Sequence, residues 1–277
     1  MSGRKRSSIW VVSCFGLFVL AAPLTGNAFR RQMGESATTA EDARKNIHPV
    51  FVELFTSEGC SSCPPADSLL ARLDADQPIP GAQLIVLSEH VDYWDHDGWR
   101  DPNSSALLTE RQSSYEHALG RESPYTPQMI VDGVSEARLN NPRQIENVLE
   151  KAIATPTIPV RISELSVDAA NSSVLRVRIE TDTNSQSHNA DVYVAIALNR
   201  FESQVLRGEN GGKRLTSVAV VQQLTKIGKL PKGKSFNGEI QLKLKPATDP
   251  RNIRLIAFVQ EPGPGRVLGA ASRKPAI

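Results

Sequence analysis

The sequence predicts an α/β domain followed by an all-β domain, and three observations support this prediction. Up to about residue 155, apolar β-branched segments alternate with segments of helical spacing, as in parallel strands joined by helices. The segment Thr155–Pro159 holds two prolines and predicts a linker. Beyond it, short alternating segments without helices favour an antiparallel, sandwich-like domain. We therefore expect domains at residues 47–155 and 157–277 of the 277-residue chain.

Local patterns give the elements of the first domain. Val50–Thr56 and Gln83–Ser88 are apolar runs that predict buried strands, and a helix between them makes these strands parallel. The other elements expected in this domain are helices over Asp67–Ala75, Ser104–Leu119 and Pro142–Ala154, and strands over Tyr125–Val131 and Val134–Leu139. Strand, helix, strand, helix, strand, strand, helix is a thioredoxin-like order.

The second domain shows repeated strand patterns. Strands are expected near residues 160–168, 173–182, 191–199, 236–245 and 253–261. The segment Gly208–Leu230 fits this class poorly, and no element is predicted for it.

The first 28 residues predict a signal peptide. Arg4–Arg6 is basic, Ile9–Leu24 is apolar, and Gly26–Ala28 supplies small residues at a cleavage site. Residues 29–46 predict a flexible leader, and we expect a periplasmic or secreted protein. An uncleaved anchor is the alternative, since the apolar run is near the short limit for a span. Cleavage removes three of the 32 Lys and Arg residues and none of the 30 acidic ones, which leaves a charge of −1 and no basic footprint for nucleic acid.

Cys60 and Cys63 lie at the expected start of a helix. Backbone N–H groups and the helix dipole stabilise a thiolate at such a place, and the thiolate is the attacking species. We expect Cys60 to be the exposed nucleophile and Cys63, one turn further and more buried, to be the resolving thiol. Signal cleavage removes Cys14, so the remaining pair can close on itself in an oxidising compartment. An inert structural disulfide and half of a zinc site are the alternatives, although no second cysteine pair completes a zinc site.

Five stretches of the chain form a more specific pattern. They are Phe55–Asp67, His90–Asp95, Gly98–Trp99, Tyr125–Gln128 and Arg207–Asn210. In this order they resemble the domain of unknown function 1223 family, a family of secreted, thioredoxin-like proteins. The resemblance covers roughly Val50 to the C-terminus and implies a fold and a compartment.

Similarity to the wider thioredoxin superfamily adds two expectations. The Thr126–Pro127 peptide bond is expected to be cis, with Pro127 facing the cysteine pair and the Thr126 backbone available to a substrate strand. Pro64–Pro65 departs from the usual pattern, in which the redox helix continues without interruption. If helix bonding starts only at Cys63, the dipole acts more weakly on Cys60.

The loop over His90–Asp101 follows the second strand, and in the family pattern it lies at the same end of the sheet as the cysteines. We expect a substrate-binding wall, with Trp94 and Trp99 as contact surface and His90 as a proton-transfer group. Two imidazoles and four carboxylates also offer ligands for a divalent metal. Because Asp and His are turn residues as well, we expect no metal.

Together these observations predict a thiol–disulfide oxidoreductase with Cys60, Cys63 and Pro127 as catalytic residues. Its expected partners are periplasmic protein thiols or disulfides, and no cofactor, nucleic acid or stable membrane insertion after cleavage is expected. The direction of the redox chemistry stays open, since it depends on thiolate stabilisation. Two alternatives also stay open: a non-catalytic binding module with a structural disulfide, and a metal-binding protein that uses His90–Asp101.

We expect the mature chain to begin near Phe29 and to be soluble, because basic, apolar and small-residue regions occur in signal-peptide order. Mass spectrometry of the exported protein checks this. An intact Met1 on membrane-bound protein would contradict it.

Overall fold

Eleven strands and three α-helices make up the part of the chain that the computed structural model describes, residues 47–168, 173–186 and 188–275. The predicted signal peptide and leader lie outside these residues. The helices are α1 (Pro64–Asp76), α2 (Ala106–Ala118) and α3 (Pro142–Ile153). The strands are β1 (His48–Thr56), β2 (Ala82–His90), β3 (Gln128–Val131), β4 (Ser135–Ala137), β5 (Val160–Val167), β6 (Val174–Thr181), β7 (Ala190–Gln204), β8 (Arg214–Leu230), β9 (Asn237–Lys243), β10 (Ile253–Gln260) and β11 (Val267–Arg273).

Eight of these strands form one mixed sheet in the order β11-β10-β7-β8-β2-β1-β3-β4. β1 and β2 are parallel, and β3 and β4 continue the sheet in antiparallel fashion. β8 pairs in parallel with β2, where Ser88 lies opposite Val220. The remaining strands, β5, β6 and β9, form a separate antiparallel sheet.

The two faces of β1 are both buried, as its nearly continuous apolar sequence predicts. Val50, Val52 and Leu54 pack with α1 and α3. Phe51, on the opposite face, packs with residues of β10, and its ring centroid lies 4.6 Å from that of Phe258. Because β7, β8 and β2 separate these two strands in the sheet order, the sheet must curl to bring them together.

An ionised network lies inside this curled sheet. Arg111 of α2 donates from Nε to Glu53 at 2.7 Å, and the Tyr115 hydroxyl donates to the other oxygen of Glu53 at 2.7 Å. Gln260 of β10 donates to the same hydroxyl at 2.8 Å. Burial, together with the charge of Glu53, raises the pKa of Glu89 well above its usual range.

The predicted fold class, an α/β thioredoxin-like domain followed by a separate all-β antiparallel domain, is wrong. The pairing of β2 with β8 joins strands from both halves of the chain in one sheet. The proline-rich segment is also packed, since Ile158 is 1% exposed and its N–H donates to the Leu268 carbonyl at 2.6 Å. Gly208–Leu230, for which no element is predicted, contains β8. Local patterns predict the elements but not this long-range pairing.

Within the described ranges, no helix is both long and apolar enough to cross a membrane.

The ion pair between Arg254 of β10 and Asp74 of α1 connects the N-terminal and C-terminal halves of the chain, and its removal tests how much this connection stabilises the fold. Two hydrogen bonds of 2.7 and 2.9 Å connect the side chains, which are 12% and 19% exposed. We expect Arg254→Ala to lower the free energy of unfolding by about 2–3 kcal/mol, because it leaves a largely buried carboxylate unpaired. The control is Arg251→Ala, which removes an exposed pair with Asp249 and should have a much smaller effect. Urea denaturation measures both, and equal effects would contradict the prediction.

Candidate functional site

Cys60 and Cys63 form a disulfide in the turn between β1 and α1, with their Cα atoms 5.4 Å apart. The Cys63 carbonyl accepts hydrogen bonds from the N–H groups of Ala66 and Asp67 at 2.8 and 3.1 Å, so α1 begins directly after the pair. Pro64–Pro65 occupies the first turn and supplies no N–H group. Two donors that could stabilise a thiolate at a helix N-terminus are therefore missing, as the two prolines predict.

Both cysteines are fully buried. Each is 0% exposed, so the expectation that Cys60 is exposed is wrong. Ser61 and Ser62, which lie between them, are exposed. The Ser62 hydroxyl lies 3.3 Å from the Cys60 sulfur, which places this sulfur on the side of the exposed turn. An incoming thiol cannot reach either sulfur in the observed arrangement.

A segment from the other half of the chain binds the turn that carries the disulfide. Residues 205–213, which connect β7 to β8 and are here named the cap loop, place Asn210 on the cysteine turn. The Asn210 side chain, in a residue that is 0% exposed, donates to the Glu58 and Cys60 carbonyls at 2.9 Å each. The Lys213 ammonium group donates to the side-chain oxygen of Asn210 at 2.9 Å, which orients the carboxamide.

Two further contacts hold the cap loop. The Glu209 carboxylate accepts a hydrogen bond from the Ser61 N–H at 3.0 Å, and hydrogen bonding by Ser61 lowers the pKa of Glu209. Gly208 has φ +74° and lies so close to the loop after β2 that a Cβ atom there would meet the Asp97 carbonyl oxygen at 2.9 Å and the Trp99 side chain at 3.3 Å. Glycine is therefore required at this position for the observed approach.

Beside the disulfide lies a buried ion pair of His90 and Asp101. The Nδ1 atom of His90 lies 2.6 Å from Asp101, which also accepts from the Glu58 N–H at 2.8 Å. Burial disfavours the imidazolium, but the Asp101 charge and hydrogen bond outweigh it and raise the pKa of His90. Burial likewise opposes the Asp101 carboxylate, yet His90 and the backbone donors hold its pKa below the usual value.

Two more buried acids lie next to this pair. Burial, with the nearby Asp101 charge, raises the pKa of Glu58, whose carboxylate accepts from the Trp99 indole N–H at 2.8 Å. Burial raises the pKa of Asp67 to about 6, and His90 opposes this shift. Within the described protein residues, Asp67 Oδ1 and His90 Nε2 have no hydrogen-bond partner. The site therefore contains one acid, Asp67, whose protonation changes near neutral pH.

The structure also places the predicted substrate-binding residues near the disulfide. The Thr126–Pro127 bond is cis, as expected. The Trp94 indole N–H donates to the Thr126 hydroxyl at 2.8 Å, and Trp94 packs on the cysteine turn, where a Cβ on Gly59 would lie 3.1 Å from its Cβ. Pro127 and Ser62 line one cavity of about 900 Å³, whose other walls are α1, α3 and β4. The side chains of Trp94 and Thr126 are thus hydrogen-bonded to each other beside the cysteine turn.

The loop after β2 does not assemble the metal ligands considered above. His90 is buried on Asp101, whereas the side chain of His96 is 75% exposed and lies 3.5 Å from Asp97. Across the described parts of the chain, no three or more His, Cys, Asp or Glu side chains are placed to hold a metal ion. The two imidazoles of the loop therefore do not converge.

Sequence reasoning missed the roles of Asn210, Glu209 and Asp67. Arg207–Asn210 and Phe55–Asp67 both belong to the motif pattern, which was the one signal that pointed to them. Local sequence context could not predict that Asn210, 150 positions after Cys60, donates a hydrogen bond to the Cys60 carbonyl. In the sequence, Asp67 is an ordinary acidic residue in the first turn of a helix, and such a position predicts an exposed side chain.

Asp67 generates a pH-dependent prediction. Its pKa is about 6 in the folded protein against an ordinary value of 3.8, so the stability that its protonated form contributes is complete below about pH 4 and is lost as pH rises through about 6. Asn cannot ionise, so we expect Asp67→Asn to be more stable than the wild type at about pH 8 by about 1–3 kcal/mol, with little difference at about pH 4.

Urea denaturation at the two pH values measures this difference. Asp76→Asn, at an exposed position of the same helix, is the control and should show no pH-dependent gain. An equal effect of Asp67→Asn at the acidic and the alkaline pH would contradict the prediction.

Comparisons with known proteins place the chain in a family without assigning an activity. A crystal structure of an Agrobacterium tumefaciens protein is 26% identical, covers 83% of this chain and 97% of its own, and superposes with a TM-score of 0.65. The Bacillus subtilis sporulation control protein Spo0M matches at 7% identity over 43% of this chain and 47% of its own, with a TM-score of 0.30. No curated protein matches the chain. The family model described as "Protein of unknown function (DUF1223)" matches residues 51–260, and the chain therefore belongs to this family.

Proposed function

We propose that the protein is an exported thiol–disulfide oxidoreductase whose redox centre is Cys60–Cys63. The observation that supports this proposal is the set of buried ionisable side chains beside the disulfide: Glu58, Asp67, His90 and Asp101. A structural disulfide needs no such neighbours. Disulfide exchange can use them, because a thiol loses its proton before it attacks and the thiolate that leaves can take one up.

The exchange is a pair of substitutions at sulfur. A client thiolate attacks Cys60 Sγ, the Cys60–Cys63 bond breaks, and its electron pair goes to Cys63 Sγ, which takes up a proton. A second client thiolate then attacks the client sulfur of the mixed disulfide and expels the Cys60 thiolate. The client loses two electrons and gains a disulfide, while the protein is reduced. In the reverse direction, the Cys60 thiolate attacks a client disulfide and expels one client thiolate. The Cys63 thiolate then attacks Cys60 Sγ, expels the second client thiolate and re-forms the Cys60–Cys63 disulfide.

We assign to Asp67 the role of exchanging a proton with the sulfur of Cys63. The spacing of four residues at the start of α1 places both on one helix face, and both are buried. A pKa of about 6 allows the carboxyl group to give or take a proton near neutral pH. His90, whose charge acts on Asp67 and whose Nε2 has no partner in the described protein, is the next group for that proton.

The proposed clients are periplasmic protein thiols or disulfides. The N-terminal sequence supports export, and the oxidising compartment then allows the disulfide to persist between turnovers. The full burial of both sulfurs favours the alternative of a structural disulfide in a non-catalytic binding module. Trapping of intermediates separates these two functions.

We expect Cys63→Ser to accumulate mixed disulfides with periplasmic proteins, because Cys60 can attack but no resolving thiol remains. Cys60→Ser is the matched variant and should trap little, since the remaining sulfur lies at the helix cap, away from the exposed turn. Non-reducing electrophoresis after acid quenching and alkylation measures the trapped species.

The structural-disulfide alternative predicts a different result. Both serine variants would then trap nothing, and the wild-type disulfide would resist dithiol reductants until the protein unfolds. This combination would exclude the oxidoreductase.

A further inference from the structure

We propose that the cap loop is a gate that closes over the disulfide and must leave the cysteine turn before exchange can occur. This inference rests on the proposed function. Substitution at sulfur requires the attacking thiolate to approach the disulfide directly, and both cysteines are 0% exposed in a turn that the cap loop binds. A redox centre in this position needs a segment that moves aside to expose the sulfurs. The contacts of the cap loop identify this loop as that segment.

The closed state depends on few contacts. Gly208 packs against the loop after β2, at Asp97 and Trp99. Asn210 binds the carbonyls of Glu58 and Cys60, and Glu209 binds the Ser61 N–H. These bonds hold both sides of the turn that carries the attacked sulfur. Glu209 is exposed, so solvent competes for its bond. Few contacts of this kind give an opening free energy far below that of global unfolding.

The cap loop is also held together by its own hydrogen bonds. The N–H groups of Val205 and Gly212 donate to the carbonyls of Lys213 and Val205 at 3.0 and 2.9 Å, and the Lys213 N–H donates to the Asn210 carbonyl at 3.0 Å. A hydrogen bond from the Gly211 N–H to the Gly208 carbonyl at 3.0 Å closes the tip. The loop can therefore leave the cysteine turn as a unit, without breaking the pairing of β7 with β8.

Asn184 provides a matched control. It is 1% exposed, and its carboxamide donates to the His188 and Leu230 carbonyls at 3.0 and 3.2 Å. It lies at the opposite end of the β7–β8 hairpin from the cap loop, because Leu230 is the last residue of β8. Asn184→Ala therefore loses the same kind of contacts as Asn210→Ala but leaves the gate intact.

The experiment measures the rate at which dithiothreitol reduces the oxidised full-length protein without denaturant, with alkylation and mass spectrometry as the readout. We expect Asn210→Ala to be reduced about tenfold faster than the wild type, since two hydrogen bonds of the closed state are lost. Asn184→Ala should stay within about twofold of the wild type. Lys213→Met, at an exposed position, should give a smaller acceleration and serves as the test if Asn210→Ala does not fold.

The outcomes separate the gate from the proposed function. If Cys63→Ser traps clients but neither Asn210→Ala nor Lys213→Met accelerates reduction, the gate is wrong and the oxidoreductase stands. If Asn184→Ala accelerates reduction as much as Asn210→Ala, the effect is general destabilisation and the gate is also overturned. If all variants resist reduction until they unfold, both proposals fail.

Discussion

The β7–β8 hairpin is the constraint on which both the sheet and the candidate site depend. Its strands have 15 and 17 residues, about three times the usual length of a strand. Along β7 it pairs with β10, and through β8 it pairs with β2, so it joins the two ends of the large sheet. Its tip then reaches the turn after β1 and donates a hydrogen bond to the Cys60 carbonyl. One hairpin therefore joins the large sheet and also contacts the turn that carries the disulfide.

Most of the local structure could be predicted from the sequence. The apolar runs of β1 and β10, the prolines at the starts of α1 and α3, and the alternation in β5 and β6 each follow from short-range physics. β8 could not, because two register shifts against β7 and a positive φ at Ala219 interrupt its alternation. Its pairing with β2 brings Ser88 opposite Val220, two residues so far apart in the chain that no local pattern encodes the contact.

In the candidate site, too, the features that depend on neighbouring residues were predictable and those that depend on long-range contacts were not. The cysteine pair, the cis bond before Pro127 and the weak helix start at Pro64–Pro65 were predictable, since each rests on neighbouring residues or on a motif. The burial of the sulfurs was not, because Asn210 comes from the other half of the chain. The same holds for Asp67, whose raised pKa comes from burial in the folded protein rather than from its own position in the helix.

The disulfide and the buried polar groups beside it contribute little net stability to the fold. A disulfide between residues with a sequence separation of 3 restricts the unfolded state by only about 2 kcal/mol. Beside it, Asp67 Oδ1 and His90 Nε2 are buried without hydrogen-bond partners in the described protein, and each such group costs about 1–3 kcal/mol. The presence of these groups beside the disulfide supports the proposed exchange, in which protons move at this site once the sulfurs are accessible.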